Sequence, residues 1–137
     1  MRINHERQAL SDMKESCVLV CVTGQKTCER LIAEGHRLAI EREEELSVLH
    51  VAHRGAELMG SFSEAEALEY LFKVSSARGA DMTVVRSDEV VKTVEKHARR
   101  IGASLIVLGA PRGGGRDMTA EMRRHMPDME FHIVYTD

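Results

Sequence analysis

Short apolar runs rich in β-branched residues alternate along this chain with stretches whose apolar positions recur three and four apart. After a polar, mixed-charge lead-in over residues 1–15, Ser16–Thr23 (Ser-Cys-Val-Leu-Val-Cys-Val-Thr) reads as a fully buried strand. Gly24-Gln25-Lys26 predicts a turn, with Thr27 as N-cap of a helix running to about Glu43. Its inward face carries Cys28, Leu31, Ile32, Gly35, Leu38 and Ala39. Glu45–Ala52 follows as a second strand, and His53–Phe62, with Gly55 and Gly60, reads as a mobile connection. Ser63 and Glu66 form a capping box for a helix that turns Leu68, Leu71 and Phe72 inward and exits at Arg78-Gly79.

The alternation continues. Asp81–Arg86 is a third strand; Ser87 or Asp88 caps a helix with Val91, Val94, Ala98 and Ile101 inward, ending at Gly102. Ser104–Gly109 is the fourth strand, residues 117–126 a short helix and Glu130–Thr136 the fifth strand. Five strands alternating with four helices predict one α/β domain over residues 16–137, a three-layer α/β/α sandwich with a parallel sheet covered on both faces. Ligands of such sheets sit beyond the carboxyl ends of the strands, where the winding reverses. A reversal between strands one and four makes the loops Thr23–Thr27 and Gly109–Arg116 neighbours, and both carry glycine and positive charge.

The second loop holds the most informative chemistry. The run Leu105-Ile106-Val107-Leu108 breaks into Gly109-Ala110-Pro111-Arg112-Gly113-Gly114-Gly115-Arg116. Glycines let bare backbone N–H groups approach an anion, and Arg112 and Arg116 add charge and forked donors. With the N-terminus of the following helix, this composes a phosphate cradle; the alternative is a surface connection with nothing bound.

Composition narrows the classes. The chain has 137 residues, 43% hydrophobic and 30% charged, enough for one core without metal or disulfides. A net charge of −3 excludes a general nucleic-acid binder, and no Trp, two Tyr and three Phe leave little for base stacking. No apolar run reaches membrane-spanning length, and Met1–Arg7 lacks the apolar stretch of a signal peptide. Cys17, Cys21 and Cys28 fit reduced thiols, so a cytoplasmic location is expected.

Several chemistries are excluded by spacing. Gly24-Gln25-Lys26-Thr27 is not a Walker loop, because Leu19 stands five before Gly24 and Gln25 interrupts Gly-Lys; nor does Gly-x-Gly-x-x-Gly follow the first strand. Cys17 and Cys21 lie roughly 13 Å apart along a strand, too far for one zinc, and His36, His50, His53 and His97 show no ligand spacing. Met118, Met122 and Met126 form a core stripe; Arg123, Arg124 and His125 form a solvated face or extend the basic edge. No nucleophile with a nearby base appears, so no enzymatic activity is expected.

Over residues 16–136 the chain resembles the universal stress protein superfamily. The matching pieces are Val20-Cys21-Val22-Thr23-Gly24, Val48-Leu49-His50-Val51 and Ile106-Val107-Leu108-Gly109. Cys28-Glu29-Arg30-Leu31-Ile32, Ala110-Pro111-Arg112 after the fourth strand and Phe131-His132-Ile133-Val134 are similar to the stress-protein-like domain of KdpD-type sensor kinases.

The resemblance implies a Rossmann-like, adenine nucleotide alpha hydrolase-like sheet of order 3-2-1-4-5 and a stress-response or signalling role without turnover. It also implies homodimers, here through the last strand, and a signalling protein partner. ATP-binding members carry an Asp at the end of the first strand and Gly-x-x-Gly, nine residues, then Gly-Ser or Gly-Thr after the fourth. Here Thr23 stands at the Asp position, Gly113 follows Gly109 one residue late, and the Gly-Ser or Gly-Thr is missing. The ligand candidates are therefore ATP, AMP or a cyclic dinucleotide, and no cofactor is fixed. In the site so implied, Thr23 and Gly24 permit close approach, Lys26 and Thr27 open the helix beside it, and Val22 and Val51 form apolar walls. Gly109, Gly113, Gly114 and Gly115 donate amides, and Arg112 and Arg116 supply counter-charge. The alternative is a degenerate module that binds no nucleotide and acts as a homodimer.

Overall fold

The computed structural model describes residues 16–22, 25–52, 62–111 and 118–136, and for 25–27, 62, 63, 111 and 136 the backbone alone. In chain order the elements are β1 (Cys17–Val22), α1 (Gln25–Arg42), β2 (Glu45–Ala52), α2 (Phe62–Ala77), β3 (Asp81–Arg86), α3 (Val90–Ile101), β4 (Ala103–Pro111), α4 (Thr119–His125) and β5 (Glu130–Thr136). The five strands form one parallel sheet in the order β3-β2-β1-β4-β5. The α/β/α architecture expected from the alternation is thus the one observed.

Strand side chains alternate between two cores because successive residues point to opposite faces. Val18, Val20, Val22, Leu46, Val48, Leu105 and Val107 face α1 and α2, meeting Cys28, Leu31, Ile32, Ala39 and Leu71. Leu19, Cys21, Leu49, Val51, Ile106 and Leu108 face α3 and α4, meeting Val91, Val94, Ala98, Met122 and Met126. The central strands bury both faces, so their sequences are continuous apolar runs rather than alternating ones. Gly35 is buried on α1 directly against β1: a Cβ there would overlap Val20 Cγ2 and crowd Leu46 Cδ1 at 3.2 Å.

The helix ends differ in detail from the sequence reading. α1 takes in Gln25 and Lys26, straight-chain helix formers, so Thr27 lies in the first turn and is not the N-cap. α2 begins at Phe62, which moves Ser63 inside the helix and out of a capping box. The N-cap of α3 is Glu89, not Ser87 or Asp88; the Glu89 N–H donates to Ser87 Oγ at 3.0 Å, so the serine closes a turn ahead of the helix. Gly79 and Gly102 both adopt φ of +73°, the left-handed exits expected of them.

Phe72 is not inward: it is 58% exposed. Leu71 is buried as the spacing predicts, and Ser75 rather than Phe72 shares its face; Ser75 Oγ donates to the Leu71 carbonyl at 2.8 Å, which lets a serine occupy a core position.

At the amino ends of the strands a polar network ties α1, β1 and β4 together. Glu44 accepts hydrogen bonds from Ser16 Oγ at 2.6 Å and Ser104 Oγ at 2.7 Å. The Arg42 guanidinium donates to Glu44 at 3.3 Å and to Ser104 Oγ at 3.1 Å. Burial alone would push the Glu44 carboxyl up, but the two hydroxyls and Arg42 together hold it below the usual carboxylate range.

Candidate functional site

The chain winds from β1 through β2 to β3 on one side and resumes at β4 and β5 on the other, so the reversal falls between β1 and β4. These two strands pair through Leu19 with Ile106 and Val20 with Val107. Chain leaving the sheet after Val22 and chain leaving after Pro111 therefore depart from neighbouring strands. In open parallel sheets the carboxyl ends of the strands at such a reversal are where a ligand crevice forms, and here α1 starts from that end of β1.

The expected site residues divide sharply. Thr23, Gly24, Arg112, Gly113, Gly114, Gly115 and Arg116 lie outside the described residues. Lys26 and Thr27 fall in the first turn of α1, where backbone N–H groups lack intrahelical partners and face toward the crevice end of the sheet. Val22 and Val51 are 2% and 9% exposed, and they serve opposite cores, Val22 toward α1 and Val51 toward α3. Their side chains do not meet as walls of one pocket; what each can offer at the crevice is backbone.

Gly109 belongs to strand β4, not to a loop, because β4 continues through Ala110 and Pro111 in register with Tyr135 and Thr136 of β5. A Cβ at Gly109 would stand 3.2 and 3.4 Å from the two methyls of Leu31. The glycine thus lets α1 press onto the last part of β4. Gly109 is otherwise exposed, so this contact is on one side of the residue only.

One polar side chain lies at the carboxyl end of β1 without any motif to mark it. His50, half-buried in β2, stands opposite Val22 in the register, and its Nδ1 lies 2.9 Å from the Val22 carbonyl oxygen. The signal was available: a histidine inside an apolar strand must find a hydrogen-bond partner when the strand is buried.

The remaining groups belong elsewhere. Burial pushes all three thiols up, Cys21 to about 12, Cys17 to about 11 with help from Asp81, Glu44 and Glu45, and Cys28 also upward, so none is poised as a thiolate. His97 is buried at the amino pole of the sheet, its Nδ1 accepting from Arg100 at 2.8 Å and its Nε2 unpaired. Burial lowers its pKa, Arg100 adds to the effect and Asp81 opposes it. Arg123 lies over the Phe131 ring at 5.8 Å from its centroid, and His125 Nδ1 is 3.5 Å from Glu95; these contacts hold α4 to β5 and α3. Among the described residues no group of three or more His, Cys, Asp or Glu is placed to hold a metal, and no helix is long and apolar enough to cross a membrane.

Comparison with known proteins bears on this arrangement. The model of the universal stress protein family matches residues 17–121. The sensor protein KdpD of Mycobacterium tuberculosis is 34% identical over 95 residues, which is 69% of this chain and 11% of that protein. The chain therefore spans only a small part of that curated relative. A universal stress protein family member from Burkholderia pseudomallei superposes with a TM-score of 0.65 at 24% identity, covering 87% of this chain and 95% of that one. The Archaeoglobus fulgidus universal stress protein in complex with dAMP gives 0.61 at 19% identity, covering 86% and 96%. A universal stress protein in complex with cAMP gives 0.64 at 16%, covering 89% and 99%. At these identities the solved structures speak to the fold.

Proposed function

This chain belongs to the universal stress protein family, and from that premise we propose that it is a non-catalytic signalling module of the stress response. In this reading it holds a nucleotide or related phosphate ligand in the crevice between β1 and β4. The observation that carries the reading is the strand order: it sends Thr23–Thr27 and Arg112–Arg116 out of adjacent strands at the one reversal of the sheet. Two structurally similar proteins were solved with dAMP and cAMP, which makes adenine nucleotides the first ligands to test. First-turn N–H groups of α1 and the glycine-rich stretch would meet phosphate oxygens, with Arg112 and Arg116 as counter-charge. The raised thiols of Cys17, Cys21 and Cys28 support a module that works without a thiolate nucleophile. A cytoplasmic setting and a signalling protein as partner complete the proposal.

Isothermal titration with ATP, AMP, dAMP, cAMP and a cyclic dinucleotide tests it. Binding of at least one is expected, with affinity falling about tenfold or more in Arg112→Ala as a charge-assisted contact is lost. No heat with any of the five would sink the reading.

A second reading is favoured by β5. It is an edge of the sheet with Phe131, Ile133 and Val134 only partly buried and Tyr135 54% exposed. An apolar edge of this kind is a template for pairing with a second copy, and a homodimer through Phe131–Tyr135 would cover it. Sedimentation equilibrium is expected to show a dimer that Ile133→Lys converts to monomer; a wild-type monomer at high concentration would refute the edge pairing.

A further inference from the structure

His50 deepens the crevice reading above and rests on it. β2 is apolar through Leu46, Val48, Leu49 and Val51, and His50 interrupts that run at the level where β1 ends. Its Nδ1 lies 2.9 Å from the Val22 carbonyl oxygen. A carbonyl oxygen can only accept, so Nδ1 carries the proton in the neutral ring and Nε2 keeps its lone pair. No described residue engages Nε2.

The carbonyl that His50 holds is that of Val22, the last residue of β1. That carbonyl sits beyond the last β1 residue paired with β4, since the β1–β4 register runs only to Val20 and Val107. A side-chain donor from β2 thus anchors the exit of β1. We infer that His50 is a positioning residue for a nucleoside phosphate bound at the carboxyl ends of β1 and β4: through Nδ1–H it fixes the Val22 carbonyl and so sets where β1 ends beside the ligand. It acts through the backbone of β1, and the ligand feels it as geometry.

The test compares the full chain with His50→Phe, which keeps a ring and loses the donor, and His50→Asn, which keeps an N–H donor near the Nδ1 position. Long-range 1H–15N spectra of the imidazole give the tautomer, the Val22 carbonyl 13C shift reports its hydrogen bond, and titration with dAMP gives affinity. The expected result is an Nδ1-protonated ring, a displaced Val22 resonance and about tenfold weaker dAMP binding in His50→Phe, and values within about twofold of wild type in His50→Asn. An Nε2-protonated ring, or His50→Phe binding dAMP as tightly as wild type, would overturn the inference. If the wild-type protein binds no nucleotide, the crevice reading itself fails, and the tautomer and the Val22 resonance alone decide whether His50 anchors β1.

Discussion

Gly35→Val is expected to cost about 3 kcal/mol of folding stability, and Gly35→Ala about 1–2 kcal/mol, measured as a fall in the urea midpoint with an unchanged slope. Glycine in the middle of an 18-residue helix is itself unfavourable by about 1 kcal/mol against alanine, so propensity alone predicts that Gly35→Ala stabilises. Packing opposes it. A Cβ at residue 35 overlaps Val20 Cγ2, and Val20 is fully buried beside Val18, Val22, Val48 and Val107 in the same core. Its branched side chain is stiff at χ1 and enclosed by neighbours, so the strain passes to the α1 backbone. The double variant Val20→Ala/Gly35→Ala isolates this contact: it should lose less than the sum of the two single losses, because the space emptied at residue 20 receives the new methyl. A neutral or stabilising Gly35→Ala would show that α1 does not lie this close to β1.

The same residue shows what could be read from the chain. Gly35 fell on the apolar face of α1 by spacing, and its burial agrees, but nothing in a linear pattern says that it is the point of closest approach. Glu45–Ala52, Asp81–Arg86 and Glu130–Thr136 were legible to the residue because each is a short run rich in β-branched residues between strong stop signals, whether central as β2 or at an edge as β3 and β5. α2 was less legible. Leu68 and Leu71 fit a helical stripe with Phe72 as well as with Ser75, and the Ser75–Leu71 hydrogen bond is what makes the serine buriable.

The candidate site was legible in position and not in detail. Glycine and arginine content marked the two connections, and strand order brought their strands together. Residue roles were harder, because one residue type serves several physical ends. Gly109 lies close against the Leu31 methyls as well as at the end of β4, and Val22 and Val51 serve cores on opposite faces. His50 has no ligand spacing around it, and its partner is a backbone atom of another strand, invisible to any motif.

Glu44→Gln is expected to lower stability by roughly 2 kcal/mol at pH 7, since a carboxylate accepting from two hydroxyls and a guanidinium loses its charge-assisted bonds. The sign with pH follows from the shift. Glu44 is held below the usual carboxylate range in the fold, so its contribution is fully present above the unfolded value of about 4.3. It is lost as pH falls through the folded value. Wild type and Glu44→Gln should therefore differ most from pH 5 upward and converge in acid, and a gap that persists unchanged to pH 3 would contradict the network. Taking the difference between the two proteins removes the acid response of other carboxylates, Glu34 included, whose carboxyl Arg37 also holds low. Location adds a second discriminator. Glu44, Ser16 and Ser104 lie at the amino ends of the strands, whereas the crevice lies at the carboxyl ends. Glu44→Gln should thus cost stability while leaving nucleotide affinity within about twofold, the opposite of the pattern expected for Arg112→Ala. Equal losses of both quantities in both variants would mean that the two ends of the sheet are not separate.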